Sequence, residues 1–318
     1  MSRRVLVLGA TGMLGHTLMR DFSDAADIEV YGAARGAGPA DAFPADVAAR
    51  ITPGLDVLEL DRLGLLLREV RPDVVVNCVG VIKQRPEVQD AVRTILVNSL
   101  FPHLLAQECA GRDIRLIHVS TDCVFSGDRG GYVESDLPDP PDLYGRSKLL
   151  GETSVPPALT LRTSIIGHEL RSTMSLVDWF LAQTGVVNGY TKAIYSGVTT
   201  TEFARLLRSV VLPREDLTGL YHVASTPISK YELLRLVATV YNWTGELVPH
   251  DNFVCDRSMC AEELAGATGY RPPAWSEMIN QLHQAWIRWT RPLVPPLLAQ
   301  RVHKPERSGK EEALPEPL

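Results

Sequence analysis

Cysteine is scarce in this sequence, and the few cysteines form no recognisable pattern. Cys78, Cys109, Cys123, Cys255 and Cys260 are odd in number and scattered along the chain. They include no Cys-x-x-Cys pair and no cysteine and histidine spacing typical of a zinc site. We therefore expect a reducing, cytoplasmic location, without a disulfide framework and without a metal site.

Long hydrophobic runs and an excess of positive charge are also missing. No apolar run approaches the roughly 18 residues that span a bilayer. The opening MSRRVLVLGATGMLG has two arginines before an apolar run, but no small-residue cleavage site of a secretory signal follows. Lysine and arginine number 32 against 38 aspartates and glutamates, for a net charge of -6. We therefore expect neither a membrane nor a nucleic-acid partner.

The amino-terminal segment has the order of a dinucleotide-binding unit. RRVLVLG reads as a strand buried on both faces, and GATGMLGHTLMRDF follows with Gly9, Gly12 and Gly15 leading into a helical pattern. A tight turn and a close approach of the backbone to a pyrophosphate leave no room for a β-carbon, and the helix N-terminus supplies N–H donors. Strand, spaced glycines and helix together predict a dinucleotide site.

The end of the next strand bears on which cofactor this site takes. IEVYGAAR carries Glu29 early and Arg35 at its end. An acid at the strand end suits the ribose hydroxyls of NAD, whereas an arginine suits a 2′-phosphate. We expect NADPH, with NADH as the alternative, and a solvated loop charge is the other interpretation of Arg35.

Further along, helices and apolar strands alternate. LREVRPDVVVNCVG and RDIRLIHVSTDCVFSG each end in a buried strand, which predicts an α/β fold of Rossmann type with a doubly wound parallel sheet. Ligands bind beyond the carboxyl ends of such strands, so residues 77–80 and 120–122 should border one crevice. Thr121 is therefore positioned for chemistry, although a hydroxyl after a strand often only caps a turn.

The stretch DLYGRSK places a tyrosine four residues before a lysine. On a helix, Tyr144 and Lys148 share one face and can present a phenol and an ammonium to one site. A nearby ammonium should lower the pKa of a phenol and make it a better acid. Such a pair also occurs by chance, so the spacing alone leaves its role open.

The motifs together resemble those of a known family. GATGMLG, STDCVF and YGRSK, followed by LRTSIIG, are similar to the extended short-chain dehydrogenase/reductases, and within them to the dTDP-4-dehydrorhamnose reductase group. The resemblance runs from about Arg4 to about Trp289. It implies NADPH-dependent reduction of the 4-keto group of a nucleotide-activated deoxysugar, in deoxysugar or polysaccharide biosynthesis. Thr121, Tyr144 and Lys148 match the catalytic hydroxyl, the acid and its partner.

The resemblance also implies binding residues. Asp56 and Val57 match the pair that contacts adenine, and Asn98 matches an asparagine on the helix beneath the active site. The expected cofactor-binding residues are Gly9, Thr11, Gly12, Met13, Leu14, Gly15, Arg35, Asp56, Val57, Asn77, Cys78, Val79, Gly80, Asn98, Tyr144 and Lys148. Candidate substrate contacts are Lys83, Gln84, Asp122, Lys192 and Tyr195, with ordinary loop residues as the alternative interpretation for all but Asp122.

The carboxyl-terminal part is expected to form a smaller, discontinuous substrate-binding lobe, as in the family. We expect residues 1–165 and 193–224 in the nucleotide-binding domain, 166–192 and 225–300 in the lobe, and a mobile tail over 301–318. MSLVDWFLAQ, SKYELLRLVATVY and SEMINQLHQAWIRW predict amphipathic helices, and VVNGYTKAIYSG a loop with a short strand. A homo-oligomer is also compatible with the sequence.

Two departures from the family limit what is carried over. Cys123 stands where an aromatic residue is frequent, and His16 and Thr17 stand where some relatives have a glutamate that binds a metal between two subunits. We therefore expect neither that metal nor that dimer. Two alternatives to the reductase remain open: an epimerase or dehydratase that recycles its cofactor, and a regulatory subunit that binds a dinucleotide without turnover.

Overall fold

The computed structural model describes residues 2–36, 42–82, 90–153 and 155–290. Its strands are β1 Arg3–Leu8, β2 Ile28–Ala33, β3 Ile51–Thr52, β4 Val74–Asn77, β5 Arg115–Thr121, β6 Leu159–Thr163, β7 Ile165–Ile166, β8 Val186–Tyr195, β9 Val198–Thr199, β10 Gly219–Val223, β11 Ile228–Ser229 and β12 Glu246–Asp256. Its α-helices are α1 Met13–Ser23, α2 Ala45–Ala48, α3 Leu60–Val70, α4 Ala91–Ile95, α5 Phe101–Ala110, α6 Leu143–Leu150, α7 Leu176–Ala182, α8 Thr200–Leu206, α9 Lys230–Tyr241, α10 Glu262–Thr268 and α11 Trp275–Thr290.

Seven strands form one parallel sheet in the order β3-β2-β1-β4-β5-β6-β10. The first six follow the strand order of dinucleotide-binding α/β folds. Successive strands are added toward one edge of the sheet from β1 to β3 and toward the other edge from β4 onward. Apolar residues are buried on both faces of this sheet, one face against α3 and α5 and the other against α1, α8 and α11. The predicted Rossmann-type sheet is confirmed, and β1, β2, β4 and β5 lie where the sequence predicted strands.

A smaller sheet has the order β11-β8-β12, in which β11 runs antiparallel and β12 parallel to β8. The prediction of a loop with a short strand over VVNGYTKAIYSG is wrong, because β8 is a continuous ten-residue strand. Val187 and Gly189 are buried on its inner face, where a β-carbon on Gly189 would come within 2.8 Å of the Tyr231 ring. Helix α9, which carries Tyr231, packs against this face.

The remaining predictions about the carboxyl-terminal half have different outcomes. The three expected helices are present as α7, α9 and α11. The expected domain boundary at residue 193 lies within β8. The two-lobe division stays a prediction, and the expected tail lies outside the described residues. Of the helices that the structure describes, none is long and apolar enough to cross a membrane.

Candidate active site

The turn between β1 and α1 has no room for side chains at its glycines. Gly9 adopts a φ of +82°, which favours glycine, and a β-carbon there would lie 3.2 Å from the main chain of Cys78. A β-carbon on Gly15 would lie 2.0 Å from the carbonyl oxygen of Gly9. The helix therefore starts directly against the strand, and its N-terminal N–H groups face the space beyond β1. This is a suitable cradle for a pyrophosphate.

A cleft of about 500 Å³ opens beside this turn, at the carboxyl ends of the central strands. Most of the residues predicted to bind cofactor or to act in catalysis line it. They are Gly9, Thr11, Gly12, Met13, Leu14, Arg35, Asp56, Val57, Cys78, Val79, Gly80, Thr121, Tyr144 and Lys148, and the predicted substrate residue Asp122 lines the cleft as well. The fold thus brings together segments that are more than a hundred residues apart in the chain.

Two predicted cofactor residues lie behind the cleft wall. The Asn77 side-chain oxygen accepts from the Val79 N–H at 3.1 Å, and its amide nitrogen lies 3.1 Å from Nδ1 of His118. Asn98, in a π-helical segment between α4 and α5, accepts from the Val81 N–H at 2.8 Å and donates to the Val81 carbonyl at 3.0 Å. Both asparagines therefore hold the 78–82 segment, which itself lines the cleft.

Two predicted substrate residues do not reach the cleft. The Tyr195 ring is buried, with its centroid 5.3 Å from that of Trp275. Lys192 lies exposed on the small sheet, 3.5 Å from a carboxylate oxygen of Asp251. Lys83 and Gln84 lie outside the described residues, so Asp122 is the candidate substrate residue that the structure places in the cleft wall.

Helix α6 delivers the tyrosine and the lysine. The Asp142 side chain caps its N-terminus by accepting from the Gly145 N–H at 2.8 Å. A β-carbon on Gly145 would lie 2.2 Å from the Cys123 carbonyl oxygen, so α6 packs directly on the turn after β5. This close approach places the Tyr144 phenol beside the Thr121 hydroxyl, which donates to Oδ1 of Asp122 at 3.1 Å. The Lys148 ammonium, one turn along, donates to the Val119 carbonyl at 2.8 Å.

Burial dominates the acid–base properties of these two groups. It lowers the pKa of Lys148 to about 8, an effect that the nearby Glu152 carboxylate opposes. Burial also raises the pKa of Tyr144 above its usual range, and the nearby Thr121 hydroxyl opposes this rise only in part. The prediction that the ammonium gives Tyr144 a lowered pKa is therefore wrong for this structure. The phenol keeps its proton at neutral pH and is available as a donor.

An ion-pair network that no sequence motif indicated lies behind Lys148. Arg162 on β6 donates two hydrogen bonds to the Glu152 carboxylate, at 2.8 and 2.7 Å. Ser120, which lines the cleft, donates to the same carboxylate at 2.7 Å. Glu152 follows Lys148 by four residues, the spacing that suggested the tyrosine and lysine pair. This four-residue spacing is what the sequence offered toward predicting Glu152 near Lys148. The pairing of Glu152 with Arg162 depends on the fold and could not be predicted from the sequence.

The far end of the cleft carries opposite charges. Arg35 and Asp56 line it as predicted, and Arg93 from α4 joins them. The Arg93 guanidinium lies 2.8 Å from Oδ2 of Asp56. No sequence motif pointed to Arg93, because its relation to Asp56 depends on packing between segments 37 residues apart.

His16 directly follows Gly15, the third glycine of the turn. Its Nε2 lies 2.7 Å from the His168 carbonyl oxygen and its Nδ1 lies 3.3 Å from the Arg20 guanidinium. Over the part of the chain that the structure describes, no group of three or more histidine, cysteine, aspartate or glutamate side chains is arranged to hold a metal ion.

Comparison with protein families identifies the chain. The model of the family described as "RmlD substrate binding domain" matches residues 3–284. The chain belongs to this family. Methionine adenosyltransferase 2 subunit beta of Danio rerio is 30% identical to this chain, over 85% of this chain and 81% of that protein. The probable low-salt glycan biosynthesis reductase Agl14 of Haloferax volcanii is 34% identical over 69% of this chain and 73% of that protein.

A solved structure is similar over the same region. The dTDP-4-dehydrorhamnose reductase of Bacillus anthracis, crystallised in complex with NADP, covers 90% of this chain with a TM-score of 0.74. All of that chain is covered, and the sequence identity is 20%, so this likeness concerns the fold. This likeness confirms the predicted fold class, and the match to the RmlD family model confirms the predicted family relationship.

Proposed function

We propose that this RmlD-family chain is an NADPH-dependent reductase of the 4-keto group of a nucleotide-activated deoxysugar, acting in deoxysugar or polysaccharide biosynthesis. The observation that carries the proposal is the contact between Thr121 and Tyr144 at the edge of the cleft, with Lys148 one turn further along α6. Three groups that could stabilise and protonate a carbonyl oxygen therefore lie beside the glycine cradle.

The cradle fits a dinucleotide. Gly9 forms the turn that lines the cleft, Gly15 lets α1 pack directly against that turn, and Arg35 lines the adenosine end. NADPH, when bound, supplies the hydride. NADH is the alternative cofactor. The Bacillus anthracis structure contains NADP, which supports the choice of NADPH.

In this proposal each side chain has a separate task. Thr121 donates a hydrogen bond to the ketone oxygen and orients the carbonyl, and Tyr144 donates its proton to that oxygen. The raised pKa of Tyr144 keeps the phenol protonated until negative charge develops on the oxygen. Lys148, one turn along α6, binds the nicotinamide ribose. Asp122, buried beside Thr121, is the candidate contact to the sugar.

The test is NADPH oxidation by the purified protein with a panel of nucleotide-linked 4-keto-6-deoxysugars, run beside Tyr144→Phe. Turnover of one substrate by the native chain, lost in the variant, supports the reductase. Dinucleotide binding with no turnover of any panel member would contradict it and favour a regulatory role, which the similarity to methionine adenosyltransferase 2 subunit beta also raises.

A further inference from the structure

Three charged side chains meet at the adenosine end of the cleft. Arg35 follows β2, Asp56 lies in the segment after β3, and Arg93 lies in the short helix α4. All three line the same cleft, with two positive charges and one negative. They come from three different segments, so their meeting is a product of the fold.

Asp56 is held as an anion. Its Oδ1 accepts from the Leu58 N–H at 3.1 Å and its Oδ2 accepts from Arg93 at 2.8 Å. Burial alone would raise the pKa of Asp56, but the hydrogen bonds from Arg93 and Leu58 and the charges of Arg93 and Arg35 bring it below its usual value. The carboxylate is therefore ionised at neutral pH.

The start of α4 fixes Arg93. The Asp90 side chain caps the helix by accepting from the Arg93 N–H at 3.0 Å. The Arg93 and Asp56 side chains are each less than one-third exposed, at 30% and 28%. The guanidinium therefore approaches Asp56 from a defined position, and solvent screens the pair only in part.

The charge of Asp56 bears on which dinucleotide can bind. An ionised carboxylate that lines this end of the cleft repels a 2′-phosphate through Coulomb repulsion. We propose that Arg93 is a specificity-determining residue, which neutralises Asp56 so that the cleft accepts a 2′-phosphate beside Arg35. This inference rests on the proposed NADPH-binding function and deepens it, because it names the residue that makes an acid-containing site compatible with a phosphorylated ribose.

Calorimetric titration with adenosine 2′,5′-bisphosphate and with adenosine 5′-monophosphate tests this proposal without any sugar substrate. In Arg93→Gln, we expect binding of the bisphosphate to weaken by about tenfold or more, and binding of the monophosphate by less than about threefold, because only the bisphosphate carries the 2′-phosphate. The variant Arg93→Lys retains the charge and should keep most of the selectivity. In Asp56→Asn with Arg93→Gln, the repelling charge is also absent, so most of the bisphosphate affinity should return.

The matched control is Arg235→Gln. Arg235 is an exposed arginine 2.9 Å from a carboxylate oxygen of Glu232 on α9, and it does not line the cleft. Its replacement changes the net charge equally and should leave the ratio of the two affinities unchanged.

Two results would overturn the role of Arg93 and leave the reductase proposal intact. Equal weakening of both ligands in Arg93→Gln would mean that Arg93 contacts the adenosine that they share. Failure of the double variant to recover bisphosphate binding would mean that neutralisation of Asp56 is not the cause. If the native protein bound neither NADPH nor NADH, both proposals would fall together.

Discussion

The Lys148 ammonium and the Val119 carbonyl oxygen lie 2.8 Å apart, in a hydrogen bond that ties α6 to β5. Val119 precedes Thr121 by two residues, so the lysine is anchored to the strand that carries the hydroxyl proposed to act in catalysis. Tyr144 lies one turn before Lys148 on the same helix. One contact therefore links the helix and the strand whose side chains we propose to act together.

The protonation of Lys148 should set the alkaline limit of activity. Burial lowers its pKa to about 8, so kcat/KM for NADPH, which reports on the free enzyme, should fall as the pH rises through about 8. Glu152 and Cys78 favour the ammonium, and His118 on β5 also interacts with it electrostatically. Glu152→Gln removes the carboxylate and leaves the Arg162 cation, which should shift this fall to lower pH.

The control for Glu152 is Ser120→Ala. This substitution deletes the 2.7 Å hydrogen bond to Glu152 but keeps its charge, so the alkaline limb should stay near its native position. A pH profile of kcat/KM for NADPH measures both variants. An unmoved limb in Glu152→Gln would show that Glu152 has no electrostatic effect on Lys148.

The Thr121 hydroxyl should contribute to kcat more than to cofactor binding. It contacts the Tyr144 phenol and, as a donor to the developing oxyanion, its loss in Thr121→Val should lower kcat by about 10²-fold. Thr121→Ser keeps a hydroxyl and should retain most of the activity. Steady-state kinetics together with NADPH titration separate the two effects, and an equal loss of NADPH affinity in Thr121→Val would contradict the assigned role.

Gly15 should tolerate no side chain. A β-carbon there would lie 2.0 Å from the Gly9 carbonyl oxygen, so Gly15→Ala must push α1 away from β1 and should destabilise the fold by about 1–3 kcal/mol or more. Gly266 also lies in a helix, but a β-carbon added there would meet no atom within 4 Å, so Gly266→Ala should stabilise by about 0.5–1 kcal/mol. Urea unfolding compares the two, and similar free energies of unfolding would refute the packing argument.

Local patterns made much of the site predictable. The strand, glycines and helix around Gly9 follow one another directly, and the spacing of Tyr144 and Lys148 is that of one helical turn. Contacts between segments that are far apart in the sequence could not be predicted from such local patterns. The pair of Asp56 and Arg93 depends on packing between segments, and so does the burial that raises rather than lowers the pKa of Tyr144.

Residue propensity was misleading in the carboxyl-terminal half. Asn188 and Gly189 have low strand propensity, so the sequence did not predict β8 as a continuous strand. A glycine fits at position 189 because a β-carbon there would come within 2.8 Å of the Tyr231 ring. Tyr195, expected at the substrate, ends that strand with its ring in the core. Its position follows from the alternation of the strand, which could not be applied while the segment was interpreted as a loop.

The fate of the transferred hydrogen tests the central claim most directly. The purified protein would be incubated with a nucleotide-linked 4-keto-6-deoxysugar and NADPH deuterated at the transferable position of the nicotinamide, and the product analysed by mass spectrometry. We expect one deuterium on the former carbonyl carbon and one NADP⁺ formed for each product molecule. A converted sugar without deuterium, and without consumption of NADPH, would contradict net reduction and indicate a reaction that recycles its cofactor.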